Sequence, residues 1–282
     1  MSERKAEILP NFFIAGAPKA GTTSLHHYLD QHPEIYMSRI KEPHYFAPEV
    51  RLERFSKPLR ARAERGARAL REYLDGPMLE SRFGGTVTEW SDYLKLFRQA
   101  NGQTAIGEAS VCYLWSESAA ANIHAAVPDA RIILVLRNPV DMAFSMYLQT
   151  VRSGAIQCAF REAIEMGLAQ RGGEIDIFHP FLDFGFYYGQ IKRMLETFSK
   201  ERVRVYWYED YQAEPMEMLA DIFRFLRVDP GFCPDLSKRH LESRRHAVAL
   251  AAEDRAWLRE FYRQDVEKLA GLLQRDLSNW LF

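Results

Sequence analysis

The residues best suited to chemistry in this sequence form a short stretch that could bind a phosphate or sulfate. Gly16 and Gly21 bound a turn that contains a lysine, and three hydroxyl residues follow the second glycine. Backbone N–H groups at a helix N-terminus attract such anions, and a lysine beside them adds positive charge. A turn that only joins a strand to a helix is the alternative. The predicted anion ligands are Lys19, Ala20, Gly21, Thr22, Thr23 and Ser24.

The position of the lysine separates this turn from the turn of nucleoside triphosphatases. Those proteins carry the pattern G-x-x-x-x-G-K-[ST], with a lysine directly after the second glycine. Here Gly16 and Gly21 keep the glycine spacing, but Thr22 follows the second glycine and the lysine lies inside the turn as Lys19. The cradle for an anion is therefore kept, while the cation meets the ligand from a different place.

A second anion site is predicted at Arg137 and Ser145. The apolar run 131–136, RIILVL, is the clearest buried strand in the chain, and Arg137 follows it directly. Ser145 lies two turns into the helix that comes next. Ligands of open α/β sheets collect at the carboxyl ends of strands, where an arginine and a hydroxyl can hold a phosphate. The two predicted anion sites therefore share one edge of a sheet.

The elements that must position these residues alternate between strand and helix along the chain. We predict strands at 12–15, 35–37, 104–108, 131–136 and 203–208. We predict helices after the glycine turn, at 51–74, after an N-cap at Thr88, at 117–127, from about 141, and at 160–169, 185–198, 215–226 and 253–273. This alternation predicts one α/β domain over residues 1–282, a three-layer sandwich with a central, mostly parallel sheet and helices on both faces.

Composition narrows the class of protein further. The chain has 282 residues, of which 47% are hydrophobic and 27% charged, and its net charge is −1, so neither nucleic acid nor an anionic membrane is an expected partner. The charged N-terminus lacks a signal-peptide core, and no apolar run is long enough to span a bilayer. Three dispersed cysteines indicate free thiols, and we expect a cytoplasmic protein without a metal site.

The two anion-binding stretches resemble the sulfotransferases that use 3′-phosphoadenosine 5′-phosphosulfate (PAPS). That family carries P-K-[SAT]-G-T-[TS], matched by residues 18–23, and R-[ND]-P-x-[DE]-R-A-x-S, matched by residues 137–145 except for Met142. Residues 107–113, GEASVCY, are similar to the G-E-K-S/T-P-x-Y stretch of the Golgi carbohydrate and bacterial branch, with Ala109 in place of its lysine. Gly185-Phe186-Tyr187 is similar to the G-x-Y helix start of the same branch.

The resemblance implies roles for these residues. Lys19 would stabilise the leaving phosphate, the backbone and hydroxyls of residues 20–24 would hold the 5′-phosphate, and Arg137 with Ser145 would hold the 3′-phosphate. Further contacts to the cofactor would come from Tyr187, Arg244 and Arg245. The reaction would need no metal, and the acceptor would be a hydroxyl or amine of a small molecule or carbohydrate.

The proton acceptor for such a reaction is predicted to be Glu42. It matches, by its position in a loop after the second strand, a catalytic glutamate of the carbohydrate branch. His44 and Glu108 are the alternatives, and a salt bridge to Lys41 is the structural explanation for Glu42. Two other functions stay open: a P-loop nucleotide kinase or NTPase, and a non-catalytic nucleotide-binding protein on the same fold. The arginine-rich segment 51–71 is a solvated helix or, alternatively, an acceptor-binding lid.

Overall fold

A parallel sheet of five strands forms the centre of the protein. The computed structural model describes residues 7–176, 180–237 and 249–282. Its strands are β1 Phe12–Gly16, β2 Ile35–Met37, β5 Ala105–Ala109, β6 Arg131–Leu136 and β7 Val203–Trp207, and a separate pair consists of β3 Ile40–Lys41 and β4 Arg82–Phe83. The strand order in the central sheet is β2-β5-β1-β6-β7, and every neighbouring pair is parallel.

The central strand β1 fixes which side chains meet at one edge of the sheet. Its apolar residues Phe12 to Ala15 are completely buried, as expected for a strand covered on both faces. Ile14 pairs with Ala109 on β5 and with Ile133 on β6. Because parallel strands end at the same edge, the glycine turn, the end of β5 and Arg137 are brought together there.

Helices surround the sheet, and this confirms the predicted α/β class. The helices are α1 Thr22–Leu29, α2 Lys57–Asp75, α3 Trp90–Lys95, α4 Cys112–Trp115, α5 Ala119–Ala126, α6 Pro139–Arg152, α7 Phe160–Ala169, α8 Tyr187–Thr197, α9 Tyr208–Ala213, α10 Pro215–Leu226 and α11 Ala252–Leu273. Helices α1 and α6 begin just after the carboxyl ends of strands β1 and β6. None of the helices in these described ranges is long and apolar enough to cross a membrane.

The arginine-rich segment differs from the single helix predicted over residues 51–74. Two short 3₁₀ turns precede α2, and Phe55 is buried between them and the helix. The chain is extended at Phe55 and Ser56, where the Ile175 carbonyl accepts a hydrogen bond from the Ser56 N–H (2.9 Å). Leu74 is the buried residue of α2, which is otherwise a solvated helix.

Three other local predictions need correction. The loop after β2 contains the short strand β3, which was not predicted because its residues pair with residues of β4 that lie 42 positions later in the sequence. Glu89, and not Thr88, holds the N-cap position of α3. The last strand ends at Trp207, and Tyr208 already begins α9.

Candidate active site

The turn between β1 and α1 lies at the carboxyl edge of the sheet, where the anion site was predicted. Gly21 adopts a left-handed conformation (φ 79°) at the N-cap position of α1. The first N–H groups of an α-helix have no acceptor four residues earlier within the helix, so those of Thr22 and Thr23 lie at the end of the turn and outside the helical hydrogen-bond pattern. The structure thus brings all the predicted ligands of the first anion site to one helix end.

Gly21 should tolerate no side chain. A Cβ added there would lie 2.7 Å from a ring carbon of Tyr211, in a backbone region that already disfavours L-residues. We expect Gly21→Ala to lower the free energy of unfolding by about 2–4 kcal/mol, measured by urea denaturation. Gly102→Ala is the matched control, because Gly102 has nearly the same φ (81°) and nothing within 4 Å of the added Cβ. Equal losses in the two variants would contradict the packing explanation.

Lys19 extends from this turn into a cluster of cations. Its Nζ donates a hydrogen bond to Gln149 Oε1 of α6 (2.7 Å). Burial, together with the nearby charges of Arg137, Arg152 and Lys41, lowers the pKa of Lys19 to about 8. The groups that perturb this ammonium are therefore all positive, and an anionic ligand would relieve the repulsion among them.

Arg137 is held directly against the same turn. Its Nη1 donates to the backbone oxygen of Lys19 (2.8 Å), and its guanidinium lies 4.6 Å from the centre of the Tyr208 ring. Tyr187 is completely buried and donates its hydroxyl hydrogen to the Arg137 carbonyl (3.0 Å). Tyr187 therefore contributes to the site by positioning the backbone of Arg137. The two predicted anion sites form one continuous cationic surface.

Ser145 lies on the part of α6 that passes this surface. Ser145 and Gln149 are four residues apart, so they share a helix face, and Gln149 accepts from Lys19. Asn138 caps α6 by accepting a hydrogen bond from the Val140 N–H (3.0 Å), so the helix starts at Pro139, two residues earlier than predicted. The predicted contacts Arg244 and Arg245 lie outside the described residues.

The loop that carries Glu42 packs against the end of β5. The Glu42 N–H donates to the Ala109 carbonyl (2.8 Å), and Glu42 Oε2 accepts from the Val111 N–H (2.9 Å). The Lys41 ammonium pairs with Glu42 Oε1, as the salt-bridge explanation predicts. Because Lys41 is also one of the cations that lower the pKa of Lys19, this ion pair belongs to the electrostatic surroundings of the anion site.

The pKa values of Glu42 and His44 are both lowered, so both side chains favour their deprotonated forms. Burial alone would raise the pKa of Glu42, but the charges of Lys41 and His44 and hydrogen bonds from Lys41 and Val111 leave that pKa below its ordinary value. Burial lowers the pKa of His44 despite the opposing effect of Glu42. At neutral pH the pair is a carboxylate beside a neutral imidazole, with Glu42 Oε2 3.8 Å from His44 Nδ1. Such a carboxylate can accept a proton.

Glu108 lies beneath this loop and has no exposed surface. Its carboxylate accepts hydrogen bonds from the hydroxyls of Ser110 (2.6 Å), Tyr113 (2.9 Å) and Tyr93 (3.2 Å). Burial raises its pKa to about 7, although these hydroxyls oppose the shift. An acceptor molecule cannot touch this carboxylate without a rearrangement, so the geometry favours Glu42 over Glu108 as the base.

Three residues at the site, Gln149, Tyr208 and Tyr211, were not predicted from the sequence. Gln149 could have been found from its spacing, one helical turn after Ser145. Tyr208 and Tyr211 pack on Gly21 from the start of α9, a helix that the sequence pattern did not indicate. Across the described ranges, no group of His, Cys, Asp and Glu side chains could hold a metal ion.

Comparison with known proteins identifies the family. Residues 10–231 match the model of the sulfotransferase family. The chain is 26% identical to carbohydrate sulfotransferase 15 of Homo sapiens, over 96% of this chain and 54% of that protein. It is also 26% identical to bifunctional heparan sulfate N-deacetylase/N-sulfotransferase 4 of Mus musculus, over 99% of this chain and 32% of that protein. The chain thus spans about half, or less, of the length of these relatives.

A solved structure gives the same result at the level of the fold. The crystal structure of a sulfotransferase from Alicyclobacillus acidocaldarius superposes with a TM-score of 0.80 at 35% identity, covering 97% of this chain and 99% of that one. The family match includes the glycine turn, the Glu42 loop, the end of β5 and Arg137. The chain belongs to the sulfotransferase family.

Proposed function

We propose that this protein transfers the sulfuryl group of PAPS to a hydroxyl or amine of an acceptor. The observation that carries the proposal is the contact between Arg137 and the turn that holds Lys19, with a Lys19 pKa lowered to about 8 by burial and by surrounding cations. A buried ammonium among positive neighbours suits a ligand with several negative charges. A donor with a 5′-phosphosulfate and a separate 3′-phosphate matches two adjoining cationic sites.

The residues at the site divide between the two charged ends of the donor. The N–H groups and hydroxyls of residues 20–24 would hold the 5′-phosphate at the start of α1. Arg137 and Ser145 would hold the 3′-phosphate, with Tyr187 fixing the backbone of Arg137. The bound donor supplies the sulfuryl group, and the proposal requires no metal.

The chemical steps assigned to the chain are proton removal and charge stabilisation. The Glu42 carboxylate takes the proton of the acceptor group, and its low pKa keeps it ionised at neutral pH. The Lys19 ammonium neutralises the negative charge that develops on the leaving phosphate. Transfer between two oxygens roughly in line depends on such positioning, as it does for phosphoryl groups.

The acceptor is proposed to be a carbohydrate or a small molecule that carries a hydroxyl or amine. The relatives named above, a carbohydrate sulfotransferase and a heparan sulfate N-sulfotransferase, support the carbohydrate class. We also propose a reducing compartment such as the cytoplasm, supported by the free thiols Cys112, Cys158 and Cys233.

The alternative functions have less support. A P-loop kinase or NTPase would need a lysine after Gly21 and an aspartate at a strand end for magnesium, whereas Thr22 and Arg137 hold those positions. A non-catalytic binding protein would leave Glu42 away from the site. Instead, Glu42 pairs with Lys41, whose charge acts on Lys19.

Binding of adenosine 3′,5′-bisphosphate tests the donor assignment. We expect calorimetry in EDTA to show binding by the wild-type protein and an affinity about 10–100-fold lower for Arg137→Ala, since a hydrogen-bonded charge is lost. Arg202→Ala is the control, because Arg202 lies at the opposite end of the sheet and pairs with Asp129. Magnesium-dependent binding of ATP, with no binding of the bisphosphate, would refute the proposal.

A further inference from the structure

Two five-residue segments that are far apart in the sequence contact each other along their length beside the site. We call residues 42–46 the base loop and residues 109–113 the β5 exit segment. Each of the five residues of the exit segment contacts the base loop. The contacts are Glu42 N to Ala109 O (2.8 Å), His44 N to Ser110 Oγ (3.0 Å), Val111 N to Glu42 Oε2 (2.9 Å), His44 Nδ1 to Cys112 Sγ (3.1 Å) and Phe46 N to Tyr113 Oη (3.3 Å).

The base loop needs these contacts because its backbone is strained. Glu42 (φ 69°) and His44 (φ 58°) both adopt left-handed conformations that cost free energy in residues other than glycine. Such conformations persist only when the surrounding structure holds them. The β5 exit segment contributes to this support, since it pairs with both residues through backbone and side-chain atoms.

The carboxylate of Glu108 orients two of the contacting hydroxyls. Ser110 and Tyr113 donate their hydroxyl hydrogens to Glu108, at 2.6 and 2.9 Å. A hydroxyl that donates in one direction presents its lone pairs in the other. Those lone pairs accept the N–H hydrogens of His44 and Phe46. Glu108 is therefore connected to the base loop through two hydroxyl relays.

We propose that Glu108 is a positioning residue that holds the base loop in its strained shape through Ser110 and Tyr113. This inference rests on the proposed role of Glu42 as the base, and it gives Glu108 a task other than proton removal from the acceptor. Only a group that accepts hydrogen bonds with both oxygens serves both relays. The amide of a glutamine would present an N–H₂ donor to one of them.

The test compares variants by hydrogen exchange of the peptide that covers residues 42–47. Glu108→Gln and Tyr113→Phe are expected to speed exchange by about tenfold or more, because the relays to the loop amides are lost. Tyr93→Phe is the matched control: it also removes a hydroxyl that donates to Glu108, but no contact of that hydroxyl with the base loop is recorded among the described residues. Its exchange should change by less than about twofold.

Kinetics separate positioning from proton transfer. Misplacement of the loop should lower kcat of Glu108→Gln and Tyr113→Phe by about 10–100-fold, with unchanged binding of adenosine 3′,5′-bisphosphate and an unchanged acid limb of the pH profile. Unaltered exchange in both variants would overturn the proposal. So would the loss of that acid limb in Glu108→Gln alone. Faster exchange together with a fully active Glu42→Gln would confirm the positioning and refute only the base assignment.

Discussion

Glu42→Gln is expected to lower turnover by about 10³-fold, the size of a general-base contribution, while the affinity for adenosine 3′,5′-bisphosphate changes by less than about twofold. The amide keeps the shape of the side chain and can still accept from the Val111 N–H, so the base loop should remain folded. What it cannot do is take a proton. Steady-state sulfate transfer and calorimetry on the same preparation measure the two quantities.

The pH profile gives a second measure of the same residue. Lys41, His44 and the Val111 N–H together hold the pKa of Glu42 below its ordinary value of 4.5, against the effect of burial. The active carboxylate therefore exists above that pKa and is lost as the pH falls through it. We expect protonation of Glu42 itself to lower kcat/KM only below pH 4.5, whereas a decrease near pH 7 would report protonation of Glu108, whose pKa is raised to about 7.

Glu49→Gln is the control for Glu42→Gln. Glu49 is a partly buried carboxylate seven residues further along the chain, and it accepts hydrogen bonds from the hydroxyls of Ser116 and Ser118 (2.7 and 2.8 Å). Its replacement removes a similar charge without touching the base loop, so transfer should fall by less than about threefold. If Glu42→Gln retained more than about a tenth of wild-type turnover, the base would have to be sought elsewhere.

Lys19→Met should lose both donor binding and catalysis. We expect kcat to fall by about 10²–10³-fold, as when one preorganised charge on a developing anion is removed, and the bisphosphate Kd to rise by about 10–100-fold. Methionine keeps much of the side-chain volume, so the turn should stay packed. Lys192→Met is the control, because Lys192 is a half-exposed lysine whose recorded partner is Glu196 of the same helix.

The lowered pKa of Lys19 makes a sign prediction for binding. Below about pH 8 the ammonium is charged, and above it the free protein loses that charge. Bisphosphate affinity of the wild-type protein should therefore decrease above pH 8, and binding there should take up a proton as the anion raises the pKa again. Calorimetry in buffers of different ionisation enthalpy measures that proton. A break near pH 8 that persisted in Lys19→Met would show that another group is responsible.

The turn proposed as the first anion site could be located from the sequence because its components are local. Gly21 at a left-handed position, Lys19 within the turn and the hydroxyls at the start of α1 lie within nine residues of one another. Arg137 is similarly marked by the apolar strand before it. Parallel pairing then brings the two together at one sheet edge, because β1 and β6 are neighbours. The predicted α/β class is confirmed for the same reason.

Contacts between residues that are far apart in the sequence could not be predicted from local sequence patterns. The strand β3 pairs with residues of β4 that lie 42 positions later, and Gln149 contacts Lys19 from 130 positions away. The helix α9 was not predicted because Tyr208, its first residue, continues the apolar pattern of β7. In the folded protein Tyr208 packs on Gly21. Each of these contacts depends on which surfaces meet after folding, which periodicity does not encode.

The three candidate bases show most clearly what the sequence determines and what only the tertiary structure determines. The sequence by itself determined a lysine-containing anion turn, a strand ending in Arg137, and three candidate bases: Glu42, His44 and Glu108. Burial and hydrogen bonding, which exist only in the folded chain, give those candidates different surroundings. They leave Glu42 ionised next to Lys41 and enclose Glu108 among three hydroxyls. A carboxylate has the same formula in both places, and its surroundings give Glu42 and Glu108 the different proposed roles of base and positioning residue.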